Sequence, residues 1–180
     1  MAEQPNGNAV ALQRPYPGET AAVVSESAVP DATGTLVSGI GLVRIDHIGM
    51  AVRDLDEAIM FYQRVFGMRC VHVEENAEQG VREAMMAVGS DPGGGCVQLL
   101  APLTPGSTIA RFLDRSGPGI QQVAYTVTDV ETTGAELRSR GVRLLYSTSR
   151  GGTAGSRVNF VHPADAGGIL VELVERALPD

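Results

Sequence analysis

Apolar residues fall along this chain in short runs whose spacing changes from strand-like to helical and back, twice over. Between Val43 and Val52 the run is rich in Ile, Val and Met and alternates poorly, the mark of a buried strand. Asp54 then stands where a helix N-cap belongs, with Glu57 three residues on as in a capping box. Ala58, Phe61, Tyr62, Val65 and Phe66 follow at helical spacing, which predicts a helix carrying them on one apolar face, ended by Gly67. Strands are predicted over 69–74, 81–88 and 96–100, separated by the turn-rich stretches 75–80 and 90–95. The order then repeats: a strand over 120–127, a helix capped by Asp129 running through Leu137 to Arg140 before Gly141, and strands over 142–146, 157–162 and 169–174. Each half reads β-α-β-β-β, and 104–118 joins the halves through a short helix around 109–113.

The repetition extends to single residues. Ile45-Asp46-His47-Ile48-Gly49-Met50-Ala51-Val52-Arg53-Asp54-Leu55 recurs as Ile120-Gln121-Gln122-Val123-Ala124-Tyr125-Thr126-Val127-Thr128-Asp129-Val130, an offset of 75 residues. Cys96-Val97-Gln98-Leu99-Leu100 matches Leu170-Val171-Glu172-Leu173-Val174 at an offset of 74. The apolar frame is shared, and the matched polar positions hold His47, Gln122, Gln98 and Glu172. Strict alternation places His47 on a face with Ile45 and Gly49, and Gln122 on a face with Ile120 and Ala124, the small residues leaving room above each. The expected fold is α+β, two tandem βαβββ modules (43–101 and 119–176) forming a curved sheet around a metal-containing cleft.

An unpaired amide or carboxylate among the apolar neighbours of Gln98 and Glu172 is costly, and convergence on a cation resolves that cost. One imidazole, two amide oxygens and one carboxylate make a hard, oxygen-rich site that leaves positions open on an octahedral ion; it is not a closed structural zinc site. Taken singly, a strand His is more often a hydrogen-bonded core residue, and a buried Gln more often bonds backbone. Four such residues at repeat-equivalent positions favour the metal reading. His72 and His162 have no repeat partner of this kind; the first is read as structural or exposed, the second, before Pro163, as a loop residue near the cleft. Glu83 shares a strand face with Val81, Met85 and Ala87, so it is either an edge-facing acid or an inward base.

Composition narrows the setting. Residues 1–42 are rich in Ala, Gly, Ser, Thr and Pro and include a single aromatic, Tyr16, which reads as a disordered tail ahead of a domain over 43–176. The start lacks the basic and apolar regions of a secretory signal, and no apolar run reaches the length of a membrane span. Net charge is −7 and all 14 basic residues are Arg, which argues against sequence-independent binding to nucleic acid or anionic membranes but leaves room for an anionic small molecule. Cys70 and Cys96 are isolated within apolar runs and are read as buried free thiols of a cytoplasmic protein.

At IDHIGMAVRDLDEA, VEENAEQGVREAMMA, VQLLAPL, GTAGSRVNFVHP and GGILVELVE, from about Arg44 to Glu175, the chain resembles the methylmalonyl-CoA epimerases of the vicinal oxygen chelate (glyoxalase/bleomycin-resistance) superfamily. The EENAEQGVREAMM segment, with Glu83 inside it, narrows the resemblance to the epimerases. The resemblance implies one divalent ion, cobalt in characterised relatives, with Mn2+, Mg2+, Ni2+ and Zn2+ as alternatives. It would be held by His47, Gln98, Gln122 and Glu172. It further implies Glu83 and Glu172 as the catalytic acid–base pair, a CoA thioester as substrate and a homodimer. One departure stands out: the family commonly carries two adjacent His and uses the second, where this chain has Gln121-Gln122. A neutral amide oxygen binds metal more weakly than imidazole, so looser binding or a shift to harder ions is expected. The alternatives are another superfamily isomerase or lyase on a related thioester, which has no need of Glu83, and a non-catalytic ligand-binding module. A ring-cleaving dioxygenase is disfavoured because the second His of its iron site is missing.

Overall fold

The computed structural model describes residues 29–30, 36–37, 39–90 and 95–177, and the chain divides into two units, Met1–Ser38 and Gly39–Asp180. In the first unit the described residues form β1 (Val29–Pro30) and β2 (Leu36–Val37), an antiparallel pair. The rest of the expected tail up to Ser38 lies outside the described residues.

The second unit contains β3 (Leu42–Ala51), α1 (Leu55–Phe66), β4 (Arg69–Asn76), β5 (Val81–Ala87), β6 (Cys96–Pro102), α2 (Thr108–Ser116), β7 (Gly119–Val127), α3 (Val130–Ser139), β8 (Arg150–Gly151), β9 (Arg157–Val161) and β10 (Leu170–Glu175). Eight strands form one curled sheet in the order β4-β5-β6-β3-β7-β10-β9-β8. β3 and β7 run antiparallel at its middle, and each pairs on its other side with a parallel strand, β6 or β10. This is the expected pair of βαβββ modules, related by a pseudo-twofold axis between β3 and β7.

Local chemistry sets the helices. Asp54 Oδ1 accepts from the Glu57 amide at 2.9 Å, and its repeat equivalent Asp129 accepts from the Thr132 amide at 2.6 Å. Gly67 closes α1 in the left-handed region, φ 65°, where a Cβ would be strained. α1 packs through Leu55, Ala58, Ile59 and Tyr62 against Ala84, Met86 and Leu99. The expected apolar face was therefore turned too far: Phe61, Val65 and Phe66 are exposed, and the rings of Phe61 and Phe66 contact each other and Tyr62. α3 packs its Val130 and Leu137 on Val127, Val161 and Leu173.

The period of two along the strands then sorts the two faces. On β6, Leu99 joins the helix-side core while Gln98 and Leu100 line a cavity on the other face. On β5, Ala84 and Met86 join the core while Val81 and Glu83 line the cavity.

Two features depart from the sequence expectation. No strand forms over 142–146, where only the bridge Leu144–Val161 is present. Two backbone hydrogen bonds flank that bridge, Leu145 N to Phe160 O and His162 N to Arg143 O, both 2.8 Å. Beyond it the Asn159 side chain accepts from the Tyr146 amide at 3.3 Å and donates to the Tyr146 carbonyl at 3.1 Å, while Arg138 holds the carbonyls of Tyr146 and Ser147. The β3–β7 ladder, moreover, carries three register shifts, one between Leu42 and Arg44 at its end and two bulges beside the site. Ile45 pairs with Tyr125 and His47 with Ala124, which skips Asp46; Gly49 pairs with Gln122 and Met50 with Ile120, which skips Gln121. The bulged residues are repeat equivalents. Each bulge reverses the alternation, so His47 does not share a face with Ile45, nor Gln122 with Ile120. The two isoleucines are 56% and 61% exposed, against 3% for His47 and 7% for Gln122.

Candidate functional site

Five side chains singled out in the sequence converge on the inner face of the sheet. Gln98, Glu83, Gln122 and Glu172 line a cavity of about 290 Å³, and His47 lies directly behind Gln122. A continuous polar chain links them. Gln98 Nε2 donates to Glu83 Oε2 at 3.0 Å; Gln122 Nε2 donates to Gln98 Oε1 at 3.2 Å and to Glu172 Oε2 at 2.6 Å, and lies 3.4 Å from His47 Nε2. His47 Nε2 itself stands 3.1 Å from Glu172 Oε2. Gly49 makes this possible, because a Cβ there would fall 2.5 Å from Gln122 Cγ.

His47 is fixed from behind. Its Nδ1 pairs with Asp46 Oδ1 at 2.8 Å, and Asp46 also accepts from Thr126 Oγ1 at 2.8 Å and Arg176 Nε at 2.9 Å. A carboxylate on one ring nitrogen fixes the imidazole orientation and points the other nitrogen at the cavity cluster.

Thr153, in the 3₁₀ turn Thr153–Gly155, donates to Glu83 Oε1 at 2.6 Å and accepts from Gln98 Nε2 at 3.0 Å. A Cβ on the preceding Gly152 would meet Val158 Cγ1 at 2.5 Å, so this turn approaches β9 only with glycine there. Sequence reading missed Asp46, Thr153 and Gln121. Asp46 and Gln121 were visible only as neighbours of the donor positions, and the 3₁₀ turn carries no periodic signal.

His72 and His162 lie outside the cavity: the first pairs with Glu74 Oε2 at 2.6 Å, the second accepts from the Ala164 amide. The expected place of His162 near the cleft is thereby corrected; it caps the turn Pro163–Asp165. Cys70 and Cys96 are free and half-buried. No helix among the described residues is long and apolar enough to cross a membrane.

Burial and hydrogen bonding act on the acids in opposite directions. Burial pushes Glu83 up to about 7; Thr153 opposes this, and the neighbouring Glu74 and Glu172 carboxylates add to it. Burial also resists charge on His47, but the hydrogen bonds and charges of Asp46 and Glu172 outweigh it and raise the imidazole to about 9. Burial alone would raise Asp46, yet His47, Arg176 and Thr126 together hold it well below the usual carboxylate range.

The stability of the metal-free protein should follow these shifts. Glu83 contributes stability that is full below 4.5 and lost as pH rises to about 7, and His47 stability that is full below 6.5 and lost through about 9. Asp46 contributes above 3.8 and loses its contribution as pH falls. Thermal melts in a chelating buffer should therefore fall steadily from pH 6 to pH 9, by about 3 kcal/mol from His47 alone. A flat profile over that window would show that the His47 cluster is not tight.

The family description Glyoxalase/Bleomycin resistance protein/Dioxygenase superfamily matches residues 46–160, and the chain belongs to that superfamily. Within it, the chain is 54% identical to methylmalonyl-CoA epimerase from Mycobacterium tuberculosis, whose crystal structure aligns with 77% of this chain and 91% of that one at a TM-score of 0.73. A structure of methylmalonyl-CoA epimerase in complex with methylmalonyl-CoA and NH4+ is 44% identical, covering 76% of this chain and 96% of that one at a TM-score of 0.72. The human mitochondrial methylmalonyl-CoA epimerase is 31% identical over 163 residues, 90% of this chain and 88% of its own length. These likenesses make the chain an enzyme of the epimerase type.

Proposed function

We propose that this protein interconverts (2R)- and (2S)-methylmalonyl-CoA by removing the C2 proton and returning one from the opposite side. The observation that carries this reading is the pair Glu83 and Glu172, which line one cavity from β5 and β10 with three strands between them and are joined through Gln98 and Gln122. The C2 hydrogen of methylmalonyl-CoA lies between a thioester carbonyl and a carboxylate, so its removal gives an enolate. Inversion needs a proton acceptor on one side of that carbon and a donor on the other.

Glu83 suits the first role. Held at about 7 by its burial, it is basic enough to take a proton near neutrality and acidic enough to return one. Thr153 and Gln98 fix both of its oxygens, so it meets the substrate in one orientation. Glu172, anchored by Gln122 and His47, serves the other side.

The donor set fits a hard divalent ion. His47 Nε2, Gln98 Oε1 and Glu172 Oε2 all face the Gln122 side-chain amide, whose nitrogen lies 3.4, 3.2 and 2.6 Å from them; Gln122 would turn that amide to present its oxygen to an ion. Among the described residues no three His, Cys, Asp or Glu side chains are grouped to hold a metal, so the amide oxygens of Gln98 and Gln122 are needed to complete the set. An ion such as Co2+ held by these four residues would supply Lewis-acid stabilisation of the negative charge that develops on the substrate. His47 must lose its proton to bind it, so loading should release protons.

Incubating one epimer of methylmalonyl-CoA with Co2+-loaded and with chelated protein, and resolving the epimers by chiral analysis, tests the assignment. A drift to equal amounts with the loaded protein is expected. An epimer unchanged under every metal tried would remove the assignment.

A further inference from the structure

The bulges at Asp46 and Gln121 in the β3–β7 ladder place equivalent residues in unequal company. Asp46 is fully satisfied by His47, Thr126 and Arg176. Its repeat equivalent is Gln121, and the positions equivalent to those partners hold Gln122, Ala51 and Pro102. Ala51 and Pro102 have no side-chain donor, and the Gln122 amide N–H groups are taken up by Gln98 and Glu172. Gln121 Oε1 is accordingly buried with no hydrogen-bond partner, the one such side-chain atom among the described residues. The Gln121 side chain nevertheless lines the cavity, beside Gln122 and on the same wall, because the bulge reverses the alternation that would otherwise send the two to opposite faces.

A buried polar atom left unpaired in the free protein is costly unless a ligand completes it. We propose that Gln121 is a substrate-contacting residue whose side-chain amide binds the free carboxylate of a 2-carboxyacyl thioester. This rests on the epimerase reading of the same site. The choice of group follows from position. Gln121 adjoins the Glu83–Gln98–Gln122–Glu172 cluster, where the acyl end of the substrate must lie. That end itself offers only acceptors, the carboxylate and the thioester carbonyl; the nearest amide N–H of a CoA chain lies beyond the sulfur and two methylenes, outside the acyl group. An amide without a partner turns about its last torsion at little cost, which presents Nε2 to the carboxylate. Glu83 and Glu172 repel an anion, so a neutral donor on this wall favours a carboxylated acyl group there in addition to any bound cation.

The test compares the affinities of methylmalonyl-CoA and propionyl-CoA, which differ by that carboxylate, for the Co2+-loaded wild type, Gln121→Met and Gln121→Glu. Calorimetric titration should show methylmalonyl-CoA binding weakened about tenfold or more in Gln121→Met, and weakened further in Gln121→Glu by charge repulsion. Propionyl-CoA binding to Gln121→Met should stay within about twofold of wild type. The unfolding midpoint of Gln121→Met should be unchanged or higher, since it removes an unpaired buried oxygen. Equal weakening for both thioesters, or a lowered midpoint with no change in discrimination, would make Gln121 a packing residue and overturn the proposal. An active wild type with an indifferent Gln121→Met overturns this inference alone; a wild type that neither epimerises nor prefers the carboxylated thioester removes the epimerase reading and this one with it.

Discussion

Replacing Glu83 by Gln should lower the rate of epimerisation by about 10²–10⁴-fold, the usual contribution of a positioned acid–base group. Gln keeps the shape: its oxygen can still accept from Gln98, as Glu83 does at 3.0 Å, and its NH2 can donate to the Thr153 hydroxyl, which now donates to Glu83 at 2.6 Å and can turn to accept, so the fold should survive. What the amide cannot do is hold and release a proton. The loss should also be one-sided: C2 exchange from the epimer whose hydrogen faces Glu172 should persist while exchange from the other epimer vanishes. Removing the carboxyl held up near 7 should also erase the acid limb of the pH–rate profile. Equal residual exchange from both epimers would place the base elsewhere.

Asp46→Ala should have the largest effect on stability. Asp46 is buried on its bulge and pairs at once with His47, Thr126 and Arg176. Truncation leaves the half-buried Arg176 guanidinium and the His47 Nδ1 without their carboxylate, and breaking a buried pair in this way costs about 3–5 kcal/mol. The imidazole, no longer raised by Asp46, should titrate lower than in the wild type, which NMR of the His47 ring would show directly. Its ring should also lose its fixed orientation, and Co2+ affinity should fall roughly 10–100-fold, as is usual when a partner behind a metal ligand is removed. A variant as stable as the wild type, or with unaltered His47 titration, would show that Asp46 does not organise the site.

What could be read from the chain was what short-range chemistry decides. Asp54, Asp129 and Gly67 mark helix ends because caps are satisfied within three or four residues, and the structure has them there. The duplication carried the rest: matched positions in matched strands had to meet across the pseudo-twofold axis, and His47, Gln98, Gln122 and Glu172 do. What escaped depends on partners distant in sequence. The bulges at Asp46 and Gln121 exist only in the register of β3 against β7, so alternation misplaced Ile45 and Ile120. The strand expected over 142–146 shrank to one bridge, because the Tyr146 backbone is taken up by a side chain, Asn159, thirteen residues away. Thr153 reached Glu83 through a glycine-dependent turn with no periodic signature. The face of α1 was partly misjudged, Ala58 and Tyr62 packing as expected, because Phe61 and Val65 fit a helical stripe as well as Leu55 and Ile59 do, and only contact with β5 and β6 chooses between them.

Proton transfer at C2 between Glu83 and Glu172 is most directly tested by following a single epimer of methylmalonyl-CoA in D2O by NMR with the Co2+-loaded wild-type protein. Inversion accompanied by deuterium at C2 of the product, with no exchange at the methyl group, is the expected result. Inversion without deuterium, or no exchange from either epimer, would contradict it.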